Sequence, residues 1–162
     1  NKKKYNNVYP LKDSISKKTH INCHRFFCIR SLLKNFSISS EYLLLCDSRD
    51  VLFQKNLENY SYDSNVDIYG FLEEITIESE QVFNARWIKA LDDLLNLNIY
   101  EQVHKNNVIC CGTTIGKINA IKTYVNSMCD IITKYNIVTN LDQGIHNYFL
   151  YFNRLNLNNF RL

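Results

Sequence analysis

The strongest constraint on the fold of this chain is the alternation of short apolar runs with helical stripes of apolar residues. Residues 42–46, 66–72 and 108–111 are largely apolar, bounded by polar residues and too short for typical helices. Apolar residues recur every three or four positions over residues 23–36, 79–96, 118–135 and 141–152, which predicts four helices. Strands that alternate with amphipathic helices predict an α/β fold with a mostly parallel sheet and helices on both faces.

Length and composition place the chain among ordinary globular domains. With 162 residues, of which 46% are hydrophobic and 22% charged, it can bury one core. We expect a polar lead-in over residues 1–20 and a single domain over residues 21–162. The net charge of +3 comes largely from lysines near the start, so nucleic acid is not expected as a partner. No apolar run approaches the roughly 20 residues that span a bilayer, so no membrane segment is expected.

The six cysteines indicate a reducing environment. They lie inside apolar runs, and their spacing does not complete a zinc site. Buried thiols are therefore favoured over the disulfide framework of a small secreted protein. Because residues 1–20 also hold no apolar stretch like that of a signal peptide, we expect a cytoplasmic location.

Two aspartates directly after the first apolar run are the strongest candidates for chemistry. Asp47 and Asp50 stand where that strand ends, the edge at which ligands collect in parallel α/β sheets. Their oxygens could bind one Mg²⁺ or Mn²⁺, which would offset their repulsion. Two other interpretations remain open. The aspartates could end the strand and cap a turn, or the segment could be a phosphatase site, although Arg49 then replaces the second acid of haloacid-dehalogenase-like phosphatases.

Two further segments each allow a structural interpretation beside a functional one. Residues 112–116 hold two glycines, which permit a tight turn between strand and helix. Asp142 falls in the first turn of the last helix, where the helix dipole favours a carboxylate, so it could be a cap. His146 follows one turn later on the same face, and a lone helical histidine is usually structural. Trp87 lies on an apolar stripe and is interpreted as a core residue.

Four segments together resemble the GT-A glycosyltransferases, in particular the group whose metal motif reads Asp-x-Arg-Asp-Val-x-Phe-Gln after an apolar strand. Residues 47–54, Asp-Ser-Arg-Asp-Val-Leu-Phe-Gln, match that motif position by position. His24-Arg25-Phe26 resembles the family's upstream Arg-Phe helix, residues 109–116 its Cys-Ser-Gly-Thr strand and turn, and residues 141–147 its Asp-Gln-x-x-x-Asn block. The resemblance implies a Rossmann-like three-layer α/β/α fold, here without the family's first nucleotide-binding strand.

The resemblance also implies roles for individual residues. Asp47 and Asp50 would bind Mn²⁺ or Mg²⁺, which bridges the diphosphate of a sugar nucleotide and neutralises charge on the departing oxygen. Arg49 would add a positive charge, or form an ion pair that holds the turn. Asp142 and Gln143 would face the reacting sugar, where Asp142 would accept a proton or orient the donor. The other implied contacts to donor or acceptor are Gly112, Thr113 and Thr114, and His146, one turn after Asp142, could be a further metal ligand or contact.

The function implied by this resemblance is metal-dependent transfer of a sugar. The donor would be a nucleotide sugar such as a UDP- or GDP-sugar, and the acceptor a hydroxyl of a glycan, a lipid-linked saccharide or a protein. The alternative is a non-catalytic module of the same fold that binds a saccharide or a protein partner. That alternative is motivated by the missing first strand, which holds the nucleotide base in the family.

Overall fold

The computed structural model describes residues 19–49 and 51–162, so Asp50 and most of the predicted lead-in lie outside the described part. The elements follow in the order α1 (Ile21–Asn35), β1 (Tyr42–Cys46), a 3-10 turn (Leu57–Asn59), β2 (Ile68–Thr76), α2 (Asn84–Leu95), α3 (Tyr100–Val103), β3 (Asn107–Lys117), α4 (Ile118–Lys134), α5 (Asp142–Tyr151) and β4 (Phe160–Arg161). The described chain is therefore an α/β fold with a four-stranded mixed sheet and five helices, compatible with a Rossmann-like arrangement.

The four predicted helices and β1 are confirmed, and local chemistry explains where α2 begins and ends. The carboxylate of Glu80 accepts hydrogen bonds from the backbone N–H groups of Phe83 (2.9 Å) and Asn84 (2.6 Å). Because these N–H groups at a helix start have no partner within the helix, the bonds fix the start of α2 at Asn84, later than the predicted start at residue 79. Asn96, in the left-handed conformation with φ 52°, ends it. The two-residue β4 and the four-residue α3 were not predicted, because such short elements show no period.

The expected turn at residues 112–116 is wrong, because β3 runs straight through it to Lys117. None of the glycines has a positive φ. Gly116 serves a close approach instead, since a Cβ there would lie 2.7 Å from the backbone carbonyl oxygen of Asp67. The glycines of this segment therefore allow neighbouring groups to pack against the strand.

The prediction of a mostly parallel sheet is also wrong. The strand order is β1-β3-β2-β4, and β3 pairs antiparallel with both β1 and β2. Only the short β2–β4 pair is parallel among the described strands. Continuous apolar runs predicted parallel strands, but a strand with apolar neighbours on both faces shows the same pattern whatever its direction.

The helices lie on one face of the sheet in the described chain, so the prediction of helical layers on both faces is wrong for this part. Residues buried in α1, α2, α4 and α5 share one core with Leu43, Ile68 and Ile109 of the sheet. The opposite face carries a small separate cluster around Tyr69 and Ile115. Between β1 and β2 the described chain forms only a 3-10 turn, so this connection supplies no α-helix to cover that face.

The main core includes the residue types predicted for it. Burial of the thiols is confirmed for Cys23, Cys111 and Cys129, whereas Cys28 and Cys110 are partly buried and the expectation is wrong for the exposed Cys46 at the end of β1. Trp87 packs partly buried against the same core. Within residues 19–49 and 51–162, no helix combines the length and the apolar character needed to cross a membrane.

Three polar side chains of α5 bond to the backbone of β3 and hold the helix against that strand; we call them the ladder. β1 pairs with β3 only from Thr113 onward, and the earlier part of β3 bonds instead to Gln143, Asn147 and Tyr151. These side chains are four residues apart, about 6 Å on a helix, and so match every second strand residue, about 6.6 Å apart. The ladder completes the hydrogen bonding of β3 and places the first turn of α5 beside the end of β1.

Candidate active site

Asp47 stands at the mouth of a cavity of about 390 Å³ on the helical face of the sheet. Its backbone N–H donates to the carbonyl of Gly112 at 2.8 Å, which extends the β1–β3 ladder by one residue. Its carboxylate is 41% exposed, so it is open to water from the cavity side. The cavity is lined by side chains and backbone from α1, β1, β3 and α4, including Arg25, Phe26, Asp47, Ser48, Cys111, Gly112, Thr114 and Tyr124.

Arg25 of α1 joins the ends of two distant segments at this cavity. Its guanidinium forms ion pairs with Asp47 through Nη1 and with Asp142 through Nη2, the latter at 2.8 Å. Nη2 also lies 3.1 Å from Sγ of Cys111. Because the neighbouring Cys23 and Phe26 are buried in the core, α1 directs the Arg25 stem along the sheet toward the end of β1.

Burial and charge act in opposite directions on these groups. Asp142 is 4% exposed, and this burial raises the pKa of its carboxyl group, while the positive charge of Arg25 lowers it. The pKa of the Cys111 thiol is raised to about 12, first by burial and then by the nearby Asp142 carboxylate, so this cysteine is a neutral thiol. Two carboxylates face one guanidinium, so the formal charges of these three groups sum to one unit of excess negative charge.

Gly112 leaves room for the Asp47 carboxylate. A Cβ atom at position 112 would lie 2.9 Å from Oδ2 of Asp47 and 3.3 Å from its Cγ, closer than ordinary van der Waals contact. Thr114, two residues further along β3, lines the same cavity, and its buried hydroxyl has no hydrogen-bond partner in the structure. The cavity therefore has an acidic mouth and one unsatisfied hydroxyl in its wall.

A second buried polar group lies behind this wall. The hydroxyl of Tyr124 is 2.9 Å from Nδ1 of His146 and 3.8 Å from Sγ of Cys111. His146 is fully buried, and burial, followed by the charge of Arg25, lowers its pKa to about 3. The histidine is neutral at pH 7, and its Nε2 has no hydrogen-bond partner in the structure. His146 does not line the cavity of Asp47.

The other predicted site residues that the structure describes do not line the cavity of Asp47. Thr113 points to the opposite face of the sheet, where it lines a different cavity with Ile115. Both ends of the Gln143 amide are bonded to β3: it accepts from the N–H of Cys111 at 2.8 Å and donates to the carbonyl of Ile109 at 2.8 Å. Arg49 is exposed and does not line the Asp47 cavity. Asp50 lies outside the described residues.

The donor set at the cavity fits a divalent cation in part. Mg²⁺ and Mn²⁺ commonly use one or two protein carboxylates together with substrate phosphates. Asp47 supplies one such carboxylate, with Oδ2 beside the space that a Cβ of Gly112 would fill. Residues 19–49 and 51–162 contain no group of three or more acidic, cysteine or histidine side chains arranged for a metal. Among the described residues, a bound cation would therefore have the Asp47 carboxylate as its ligand, together with oxygens of its own ligand.

Sequence reasoning did not assign Arg25, Cys111 or Tyr124 to the site. The one signal for Arg25 was its place in the His24-Arg25-Phe26 segment that resembles the family's Arg-Phe helix, since a charged residue between Cys23 and Phe26 is ordinary in an amphipathic helix. Cys111 and Tyr124 carried no such signal, since each fits an ordinary apolar pattern.

No family model, curated protein or solved structure matches this chain. The interpretation of the site therefore depends on two sources. One is the resemblance of four sequence segments to the GT-A group. The other is the placement of those segments around one cavity.

Proposed function

We propose that this chain is a nucleotide-sugar-dependent glycosyltransferase of the GT-A type. One observation carries the proposal: residues of three of the four segments that resemble the family line one cavity, and an ion pair joins the fourth segment to it. Arg25, Asp47 and Gly112 line it. Asp142 reaches it through its ion pair with Arg25. A chance resemblance in four short segments gives no reason for them to converge, whereas a shared binding site requires it.

Arg25 is the one cationic side chain among the described residues that line this cavity, and it would bind an anion through Nη1 once Asp47 turns from Arg25 to the cation. Its guanidinium is about a quarter exposed, and Asp142 holds it from the buried side, which reduces the side-chain freedom lost on binding. Planar guanidinium groups bind phosphate oxygens with two hydrogen bonds. A nucleoside diphosphate, such as that of a UDP- or GDP-sugar, is the anion we propose for it.

Asp47 would hold the divalent cation, Mn²⁺ or Mg²⁺. When bound, such a cation supplies positive charge where negative charge develops on the departing diphosphate. Asp47 is suited to this role because it is partly exposed and the cluster has excess negative charge. Asp50 would be the second carboxylate, as the motif implies. The acceptor, a hydroxyl of a glycan, a lipid-linked saccharide or a protein, would approach from the open side of the cavity.

The test is calorimetric titration of the purified chain with UDP and GDP, with and without Mn²⁺. We expect Mn²⁺-dependent binding of one of them, and loss of that binding in Asp47→Asn, which keeps the side-chain shape but removes the charge. Asp93→Asn is the matched control, since Asp93 is exposed on α2 away from the cavity. Equal Mn²⁺-dependent binding by Asp47→Asn, or no binding by the folded wild type, would contradict the proposal.

One observation favours the non-catalytic alternative. Asp142, which would be the proton acceptor or donor-orienting group, is buried behind Arg25 and does not line the cavity. A saccharide-binding module of the same fold would not need an accessible base. Binding of saccharides without nucleotide or metal, together with no transfer of sugar from UDP- or GDP-sugars, would support this second function.

A further inference from the structure

The face of the sheet opposite the helices carries a larger cavity, of about 640 Å³, which we call the aromatic cavity. Its wall includes Leu44, Val51, Tyr60, Tyr62, Phe71 and Ile115. Its volume lies within the range of pockets that bind small molecules, about 300–1,000 Å³. The cavity exists because no helix of the described chain packs on this face.

The hydroxyls of Tyr62 and Tyr69, two of the tyrosines that line the cavity, are hydrogen-bonded to the chain itself. Tyr69 accepts a hydrogen bond from the backbone N–H of Asp63 at 2.7 Å, and the Tyr62 hydroxyl donates to the carbonyl of Leu57 at 3.5 Å. The rings pack on one another, with the centroids of Tyr60 and Tyr62 4.9 Å apart. The cavity therefore offers mainly ring and aliphatic surface. A saccharide, whose hydroxyls need many polar partners, fits this surface poorly.

The apolar side chains around the cavity are exposed to water. Leu52 is 83% exposed, Phe53 54% and Tyr60 55%. Contiguous apolar exposure of this kind marks a binding surface, because covering it removes apolar area from water. Among the described residues that line the cavity, Lys55 is the one charged side chain. The charge and the apolar wall together select a ligand that has an apolar body and one negative charge.

We infer that the aromatic cavity binds the apolar chain of a small anionic amphiphile, whose negative group pairs with Lys55. This inference does not depend on the proposed function, because neither Arg25 nor Asp47 lines the cavity. The two cavities are nevertheless adjacent, because Leu44 lines both of them. Asp47 and Ser48 line the cavity of Asp47, and Val51 and Lys55, a few residues later, line the aromatic cavity. A bound amphiphile would lie beside the end of β1.

The experiment is calorimetric titration of the full chain with decanoate, in the absence of metal and nucleotide and at concentrations where decanoate does not form micelles. We expect saturable binding with one site per chain. Decyltrimethylammonium, which has the same chain length and the opposite charge, should bind at least fivefold more weakly. Failure of decanoate to bind, or equal binding of the two probes, would overturn the inference.

Two variants place the binding in this cavity. Thr113→Phe puts a ring into the cavity and should abolish binding, whereas Thr133→Phe, at an exposed position of α4, should leave it unchanged. Lys55→Gln should weaken decanoate binding by about two- to fivefold, as expected for a partly solvated ion pair. Lys122→Gln, exposed on α4, is its control. Unchanged decanoate binding by a Thr113→Phe variant with the wild-type unfolding transition would overturn the assignment.

Discussion

Replacement of Arg25 by methionine tests whether the buried Asp142 carboxylate depends on this one cation. Methionine keeps an unbranched stem of similar reach but removes the charge and the hydrogen-bond donors. In the wild type, Nη2 of Arg25 lies 2.8 Å from Oδ2 of Asp142, whose side chain is 5% exposed. The variant leaves this carboxylate buried without its ion-pair partner.

The magnitude follows from the burial of the two partners. Breaking a fully buried ion pair by removing one partner costs about 3–5 kcal/mol. Arg25 is 27% exposed, so water weakens the pair, and we expect a loss of about 2–4 kcal/mol in the free energy of unfolding at pH 7.5. The second pair, with Asp47, adds little because that carboxylate is 41% exposed.

The loss should depend on pH. Burial already raises the pKa of Asp142 above its unfolded value, and removing Arg25 takes away the charge that lowers it. For a carboxyl group whose folded pKa is raised, stability is complete below the unfolded pKa and is lost as the pH rises through the folded pKa. The defect of Arg25→Met should therefore be larger at pH 7.5 than at pH 5.

The assay is urea unfolding followed by fluorescence of Trp87, the single tryptophan, at both pH values. Arg86→Met, at an exposed position of α2, should change stability by less than about 0.5 kcal/mol. The double variant Arg25→Met/Asp142→Asn should be more stable than Arg25→Met alone, because no buried charge remains. A loss below about 0.5 kcal/mol, or an equal loss at both pH values without relief in the double variant, would show that Asp142 does not depend on Arg25.

Three further predictions concern neighbouring groups. Gly112→Ala should keep stability within about 1 kcal/mol of wild type, because alanine makes the unfolded chain less flexible and this gain offsets the displacement of Asp47. Calorimetry should show weaker Mn²⁺-dependent nucleotide binding, and unchanged binding would show that the added Cβ does not displace the Asp47 carboxylate. Asn147→Ala should cost about 1–3 kcal/mol in urea unfolding, since it leaves the buried N–H of Ile109 unpaired, whereas the exposed Asn126→Ala should cost less than about 0.5 kcal/mol. The buried His146, with its pKa lowered to about 3, excludes a proton that the unfolded chain accepts below about pH 6.5. The free energy of unfolding of the wild type should therefore fall below about pH 6.5 more steeply than that of His146→Gln, by up to about 1.4 kcal/mol per pH unit. Parallel pH profiles of the two proteins would show that His146 does not cause this loss of stability.

The four longer helices and β1 could be predicted from the sequence because their signals are local. An apolar stripe such as that of α4 records which positions of one helix face the core, and it needs no knowledge of the partner. The run 42–46 likewise marks a strand with apolar contacts on both faces, and β1 has the same bounds. Asp47 as a candidate site residue followed from its position directly after that strand.

Strand direction, the path of β3 and the grouping of the site residues depend on contacts between distant parts of the chain. Apolar runs report burial but not the direction of a neighbouring strand, which backbone pairing decides. A glycine pair permits either a turn or a close approach, and the Asp47 carboxylate beside Gly112 selects the second. The pattern around residue 142 could not show that Asp142 is buried behind Arg25, or that Gln143 bonds to β3, because both result from the docking of α5 on the sheet.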